Sequence, residues 1–194
     1  MEAVMMTSRI ALKEWAMVVE ALAQGEQILL VRKGGIRDPK GAFQLEHREF
    51  LLYPTFEHQS EDVVRAVRSE FRERFASARA APKEGDTVSL QVYAGVAGCM
   101  DIRDPKELHG LERYHIWTPQ FFEDRMRYRP QAPTLLVVVR AYRLSQPIPH
   151  PVRAEYAGCK SWVPLLDAIP IEAAQPVMDN QRFRAALQEI SGKM

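Results

Sequence analysis

At 194 residues with 46% hydrophobic content, the chain is long enough to bury one sizeable core. A formal charge of +1, from 26 basic and 25 acidic residues, argues against a dedicated nucleic-acid coat protein. It leaves room for local basic clusters such as Arg125, Arg127 and Arg129.

The two cysteines, Cys99 and Cys159, lie far apart without CxxC spacing, which fits a reducing compartment and offers no finger or disulfide framework. The opening MEAVMMTSRIALKEW lacks the basic start and long apolar run of a signal peptide. The longest apolar run, Leu135 to Val139, is too short to cross a bilayer. The expectation is a soluble, cytoplasmic protein with no membrane partner, forming one domain over residues 1–194.

Ala16 to Leu22 and Gln27 to Arg32 are apolar runs separated by AQGE, a spacing that predicts a β-hairpin. Gly34 and Gly35 open a polar loop to Gly41. Short strands are expected over Ala42 to Glu46 and Glu49 to Tyr53, the second stopped by Pro54. From Ser60 the apolar period becomes helical through Val64, Val67, Phe71 and Phe75, with Ser60 as N-cap. AAPKEGD is a turn before a strand over Thr87 to Val96. Thr118 and Pro119 predict the start of a helix running to about Arg127. Thr134 to Tyr142 predicts a strand buried on both faces, followed by a Pro-rich loop, SQPIPHP. A short strand over Lys160 to Pro164 and a helix over Asn180 to Ile190 complete the order. Mixed strands and helices predict an α+β fold, an α/β/α sandwich around a central mixed sheet.

The stretch TFEHQSEDVVRAVRSEFRERFA, Thr55 to Ala76, resembles the helix motif of Nudix hydrolases. Glu61, Glu70, Phe71 and Glu73 fall at motif positions, whereas Thr55, Ser69, Arg74 and Ala76 depart from it. Ile28 to Lys33, the late strand TLLVVVRAY, Glu155 and the segment Trp162 to Leu165 are also similar to Nudix elements in order. The strings LKEWAMVVEAL, ILLVRKGGI, EHREFLLYPTFEHQ and GCKSWVPL resemble an uncharacterised bacterial family, domain of unknown function family 1802. That likeness implies at most a link to DNA metabolism, through an occasional association with restriction-type nuclease domains.

The Nudix resemblance implies that Glu70 and Glu73 hold a divalent metal, magnesium or manganese, against a diphosphate and so act as catalytic carboxylates. Arg74 stands at the third carboxylate's place and opposes such a site. The alternative is that Glu70 pairs with Arg74, and Glu61 with Arg65, on a solvated helix face. In RKGGIR, the cations Arg32, Lys33 and Arg37 flank two glycines at a strand end, where fixed charge and backbone NH groups suit a phosphate. Glu46, His47, Glu49, Glu57 and His58 crowd into thirteen residues as candidate ligands or proton carriers, or as hydrogen-bonded histidines at strand ends. Tyr114, His115 and Trp117 offer a stacking wall or an acid–base group, or simply a core anchor at a helix entry.

The function expected from these features is binding of a phosphate-containing ligand, a nucleotide or nucleic-acid end, by a Nudix-like domain with degenerate hydrolase chemistry. The expected ligand site joins Arg32, Lys33, Arg37, His47 and His58, with Tyr114, His115 and Trp117 as a second wall. One alternative is a metal-dependent phosphoanhydride or phosphodiester hydrolase whose ligands are rebuilt from Glu46, His47 or Glu57 beside Glu70 and Glu73. Another is a module that binds a protein partner.

Overall fold

The computed structural model describes residues 6–34, 42–56, 60–65 and 82–193. Strand β1 (Thr7–Trp15) leads directly into helix α1 (Ala16–Gln24), then β2 (Leu29–Arg32) and β3 (Glu49–Thr55). Two long strands follow, β4 (Thr87–Ile102) and β5 (Thr134–Pro151), with helix α2 (Pro119–Arg127) between them. Strands β6 (Trp162–Pro170) and β7 (Gln175–Pro176) precede the last helix, α3 (Asn180–Lys193). The sheet order is β2-β5-β4-β3-β1-β6, with β7 on β5. Only the β1–β3 pairing is parallel; every other is antiparallel. The class is α+β with a mixed central sheet, as expected.

Two cores lie on the two faces of this sheet. Along β1, Leu12 joins the larger cluster and Ala11 the smaller; along β3, Phe50 and Leu52 join the larger, Leu51 and Tyr53 the smaller. This is the period-2 alternation of a strand buried on both sides. The sheet also curls strongly. Strand β2 lies at one end of the order and β6 at the other, yet Arg32 of β2 hydrogen-bonds the carbonyl of Lys13 in β1 and the hydroxyl of Ser161 beside β6.

The expected hairpin is half wrong, because Ala16–Gln24 is a helix with seven of its nine residues buried. A helix that is apolar all round has no polar face to reveal its period. Its stop signal is Gly25, left-handed at φ 74°. Gly25 N donates to Leu22 O at 3.2 Å and Glu26 N to Ala21 O at 3.0 Å, the paired bonds that close a helix C-terminus.

The strand expected over Ala42 to Glu46 is irregular backbone. Pro54 does not end β3: it pairs with Glu14 on the β1 side, while pairing with β4 stops at Leu51. Its missing N–H therefore falls where no ladder needs it. The same logic converts the Pro-rich loop into strand. Pro147, Pro149 and Pro151 alternate along β5, so their donorless nitrogens share one edge, and β4 pairs along the other.

No helix starts at Ser60. A 3-10 turn spans Glu61–Val63, and Val64 then bridges Trp117. Arg65 N donates to Ile116 O at 2.7 Å and Thr118 N to Val63 O at 2.9 Å, so these backbone groups serve a cross-chain ribbon instead of a helical ladder. Val67, Phe71 and Phe75, and the rest of the Nudix-like motif from residue 66, lie outside the described residues. Helix α2 starts as expected, but Thr118 Oγ1 donates to Val63 O at 3.2 Å instead of capping it.

Gly34 turns the chain at the end of β2. It has φ +87°, and an added Cβ would lie 2.4 Å from Phe43 N and 2.6 Å from the Ala42 carbonyl carbon. Gly85 has a similar φ of +95° but open space around it. Gly85→Ala should therefore cost only the left-handed penalty of roughly 1–2 kcal/mol. Gly34→Ala should cost about 1–3 kcal/mol more, because the backbone itself must give way. Chemical denaturation of the two variants checks this, and equal losses would remove the packing argument.

Candidate functional site

Where β1 ends, β2 ends and the turn before β6 approaches, five cations converge on one cavity. Lys13, Arg32, Lys33, Arg125 and Lys160 line a space of about 450 Å³, together with Glu14, Trp15 and Tyr128. Local structure places each of them. Lys13, Glu14 and Trp15 are the last residues of β1, and Arg32 is the last of β2. Arg125 lies in the last turn of α2 and Tyr128 follows it. Gly158, left-handed at φ 87°, makes the turn that brings Lys160 and Ser161 over the cavity.

Arg32 forms the floor. Its Nη1 donates to Lys13 O and Glu14 Oε2, each at 3.0 Å, and its Nη2 donates to Ser161 Oγ at 3.0 Å. Glu14 Oε1 accepts the Trp15 N–H at 2.8 Å, so both carboxylate oxygens are engaged. Three bonds leave two of the five guanidinium donors uncommitted.

The other cations have neutral groups among their partners. Lys33, only 3% exposed, donates from Nζ to Met126 O at 3.1 Å. Lys13 Nζ donates to Gly158 O at 3.0 Å, and Lys160 to Glu155 O. Arg125 lies 5.0 Å above the Phe121 ring and 6.0 Å from that of Trp15. Among the described lining residues Glu14 is the one carboxylate, and together they carry a formal excess of four positive charges.

The crowding shows in the titration of two of these groups. Burial, and then the neighbouring Arg125, lower the Lys33 pKa from its ordinary value. Burial also lowers that of Arg125; the repulsion of Arg32 adds to this and the carboxylate of Glu14 opposes it. A bound anion would relieve both strains at once.

Of the residues expected at a site, Arg32 and Lys33 line this cavity. Arg37, His58, Glu57, Glu70, Glu73 and Arg74 lie outside the described residues. His47 sits edge-on to Trp162, ring centroids 5.0 Å apart, and does not line the cavity. Tyr114 donates its hydroxyl to Glu189 Oε2 at 2.7 Å. His115 and Trp117 are 3% and 2% exposed, and Trp117 stacks on Phe121 at 4.7 Å. His115 and Trp117 are therefore buried and Tyr114 is half-buried against the core; none of the three lines the cavity. The described residues include no group of three His, Cys, Asp or Glu placed to hold a metal.

Sequence reasoning missed Lys13, Glu14, Trp15, Tyr128, Lys160 and Ser161. It noted the Arg125–Arg129 run without connecting it to Arg32. The available signal was positional: KEW and VRK each end a strand, and GCKS is a glycine turn.

These features define an α+β domain built on a curled mixed sheet, with a cationic cavity where the sheet's ends meet. The family "Domain of unknown function (DUF1802)" matches residues 11–189, and the chain belongs to that family. No curated protein matches it. Two solved structures from Zymomonas mobilis share a distant likeness. A mutant of the ASCH protein has 15% identity and a TM-score of 0.44, covering 82% of this chain and 91% of that one. A second ASCH structure has 13% identity and a TM-score of 0.43, covering 93% of each chain.

His115 carries a separate consequence. Burial, helped by Arg65 and opposed by Glu112 and the Trp117 backbone, lowers its pKa from 6.5 to about 4. Below pH 6.5 the unfolded chain takes up a proton that the folded chain refuses until about pH 4. Stability should therefore fall as pH drops through that window, by roughly 3 kcal/mol at 1.36 kcal/mol per unit. In urea titrations between pH 7.5 and 4.5, His115→Phe should lose this share of the acid slope. An unchanged slope in the variant would assign the acid sensitivity elsewhere.

Proposed function

We propose that this protein binds a phosphate-containing ligand, a nucleotide or a nucleic-acid end, in the cavity around Arg32 and Lys33. The observation that carries the reading is the formal excess of four positive charges, five cations against one carboxylate, among the described residues that line the cavity. Lys33 and Lys160 donate to backbone carbonyls, and a phosphate oxygen is a stronger acceptor for an ammonium than a carbonyl is. Arg32 is held in place by its three existing bonds and can offer its remaining donors without losing side-chain freedom. The cavity volume of about 450 Å³ falls within the range of about 300–1,000 Å³ usual for small-molecule sites.

A Nudix-like hydrolase reading would depend on Glu70 and Glu73. The binding reading depends only on the described cavity, and binding is therefore the function proposed.

Thermal shift with inorganic phosphate, pyrophosphate, nucleotides and short 5′-phosphorylated DNA tests it. A ligand at a hundred times its Kd should add about 2.7 kcal/mol of stability. Binding should weaken as salt rises, because phosphate contacts release counterions. Lys33→Ala and Arg125→Ala should each weaken every phosphorylated ligand by about tenfold or more. If no phosphate compound stabilises the wild-type protein, the cavity is not a phosphate site.

A further inference from the structure

The groove does not end at Lys33. A second depression, of about 460 Å³, borders the same residue and is lined by Asp101, Arg103, Gln131, Pro130 and Pro133. The carbonyl that anchors the Lys33 ammonium belongs to Met126, which also lines this second space. Lys33 is thus shared by both.

The two depressions differ in chemistry. The first holds cations nearly alone, whereas the second sets the carboxylate of Asp101 against the guanidinium of Arg103 and adds the amide of Gln131. A second phosphate would meet Asp101 and be repelled. A flat heterocycle finds what it needs there: a carboxylate for amino donors, an amide and a guanidinium for ring acceptors, and proline rings as apolar surface. The volume also lies within the range of about 300–1,000 Å³ that suits one small-molecule moiety.

We propose that the second depression is a base subsite: a nucleotide held by its phosphate in the first cavity passes Lys33 and places its base against Asp101, Arg103 and Gln131. A carboxylate accepts and cannot donate, and an exocyclic amino group offers it two N–H donors where uracil offers only its ring N–H, so bases that carry such a group are preferred. This inference rests on the phosphate reading above and adds the class of ligand to it.

Calorimetric titration with pyrophosphate, ribose 5-phosphate and the four ribonucleoside monophosphates separates the two ideas. Asp101 and Gln131 are exposed, so Asp101→Asn and Gln131→Ala should keep the ligand-free melting temperature. The expected result is that amino-bearing nucleotides bind at least fivefold tighter than ribose 5-phosphate. Each variant should remove most of that gain and leave pyrophosphate binding unchanged. Nucleotides that bind no tighter than ribose 5-phosphate, or variants that leave nucleotide affinity unchanged, would overturn the base subsite while the phosphate site stands. Absence of pyrophosphate and nucleotide binding in the wild type would overturn both.

Discussion

The contact between Arg32 and Glu14 holds together what the hydrogen-bond ladders of the sheet do not. Strands β2 and β1 are separated by three others in the sheet order, and the curl of the sheet brings their ends face to face. Arg32 joins these ends with one carboxylate, one carbonyl and one hydroxyl, while its side chain and that of Glu14 are only 14% and 9% exposed. A buried pair of this kind adds little net stability by itself, since desolvation offsets its attraction. Loss of either partner is a different matter, because it strands a charge in a partly dry cavity. The pair is better understood as a constraint that fixes where the sheet's ends meet, and hence where the cavity lies.

That constraint decides the electrostatics. Glu14 is held by Arg32 and by the Trp15 backbone, and its one negative charge is set against five cations among the described lining residues. After burial has already lowered both pKa values, Arg125 lowers that of Lys33 further, and Arg32 lowers that of Arg125 against the opposing pull of Glu14 and Tyr128. Such an arrangement costs folding free energy in the empty protein. It is of use where an anion supplies the missing charge, since the cations are already stripped of much of their water and held in position.

The sequence made some of this legible and hid the rest for identifiable reasons. Long β-branched runs such as Thr134 to Tyr142 identify themselves, as does Thr118-Pro119 at the head of α2. Helix α1 was hidden because its burial on all sides erased the 3.6 period, leaving Gly25 as its one clear mark. Pro147, Pro149 and Pro151 mislead unless their alternation is noticed, since three prolines on one free edge are compatible with a strand. Arg32 and Lys33 were recognisable as phosphate-binding candidates from their place beside Gly34. Lys13, Arg125 and Lys160 were not, because the sheet's curl brings together segments more than a hundred residues apart, and no local pattern encodes that meeting.

His115 and Trp117 show the opposite case, in which residues that suggest chemistry in sequence are buried in the structure. Tyr114, His115 and Trp117 look like a stacking wall in sequence, yet Trp117 lies parallel to Phe121 with an interplanar angle of 5°. Phe121 meets the Trp15 ring edge-on at 5.7 Å, and Arg125 rests against both Phe121 and Trp15. The buried tryptophan thus contributes to the cavity indirectly. It fixes the ring on which Arg125 lies, and a guanidinium lying on aromatic rings loses less freedom on binding an anion than a solvated one. The same aromatic ladder that keeps Trp117 out of the cavity sets the position of the cation that lines it.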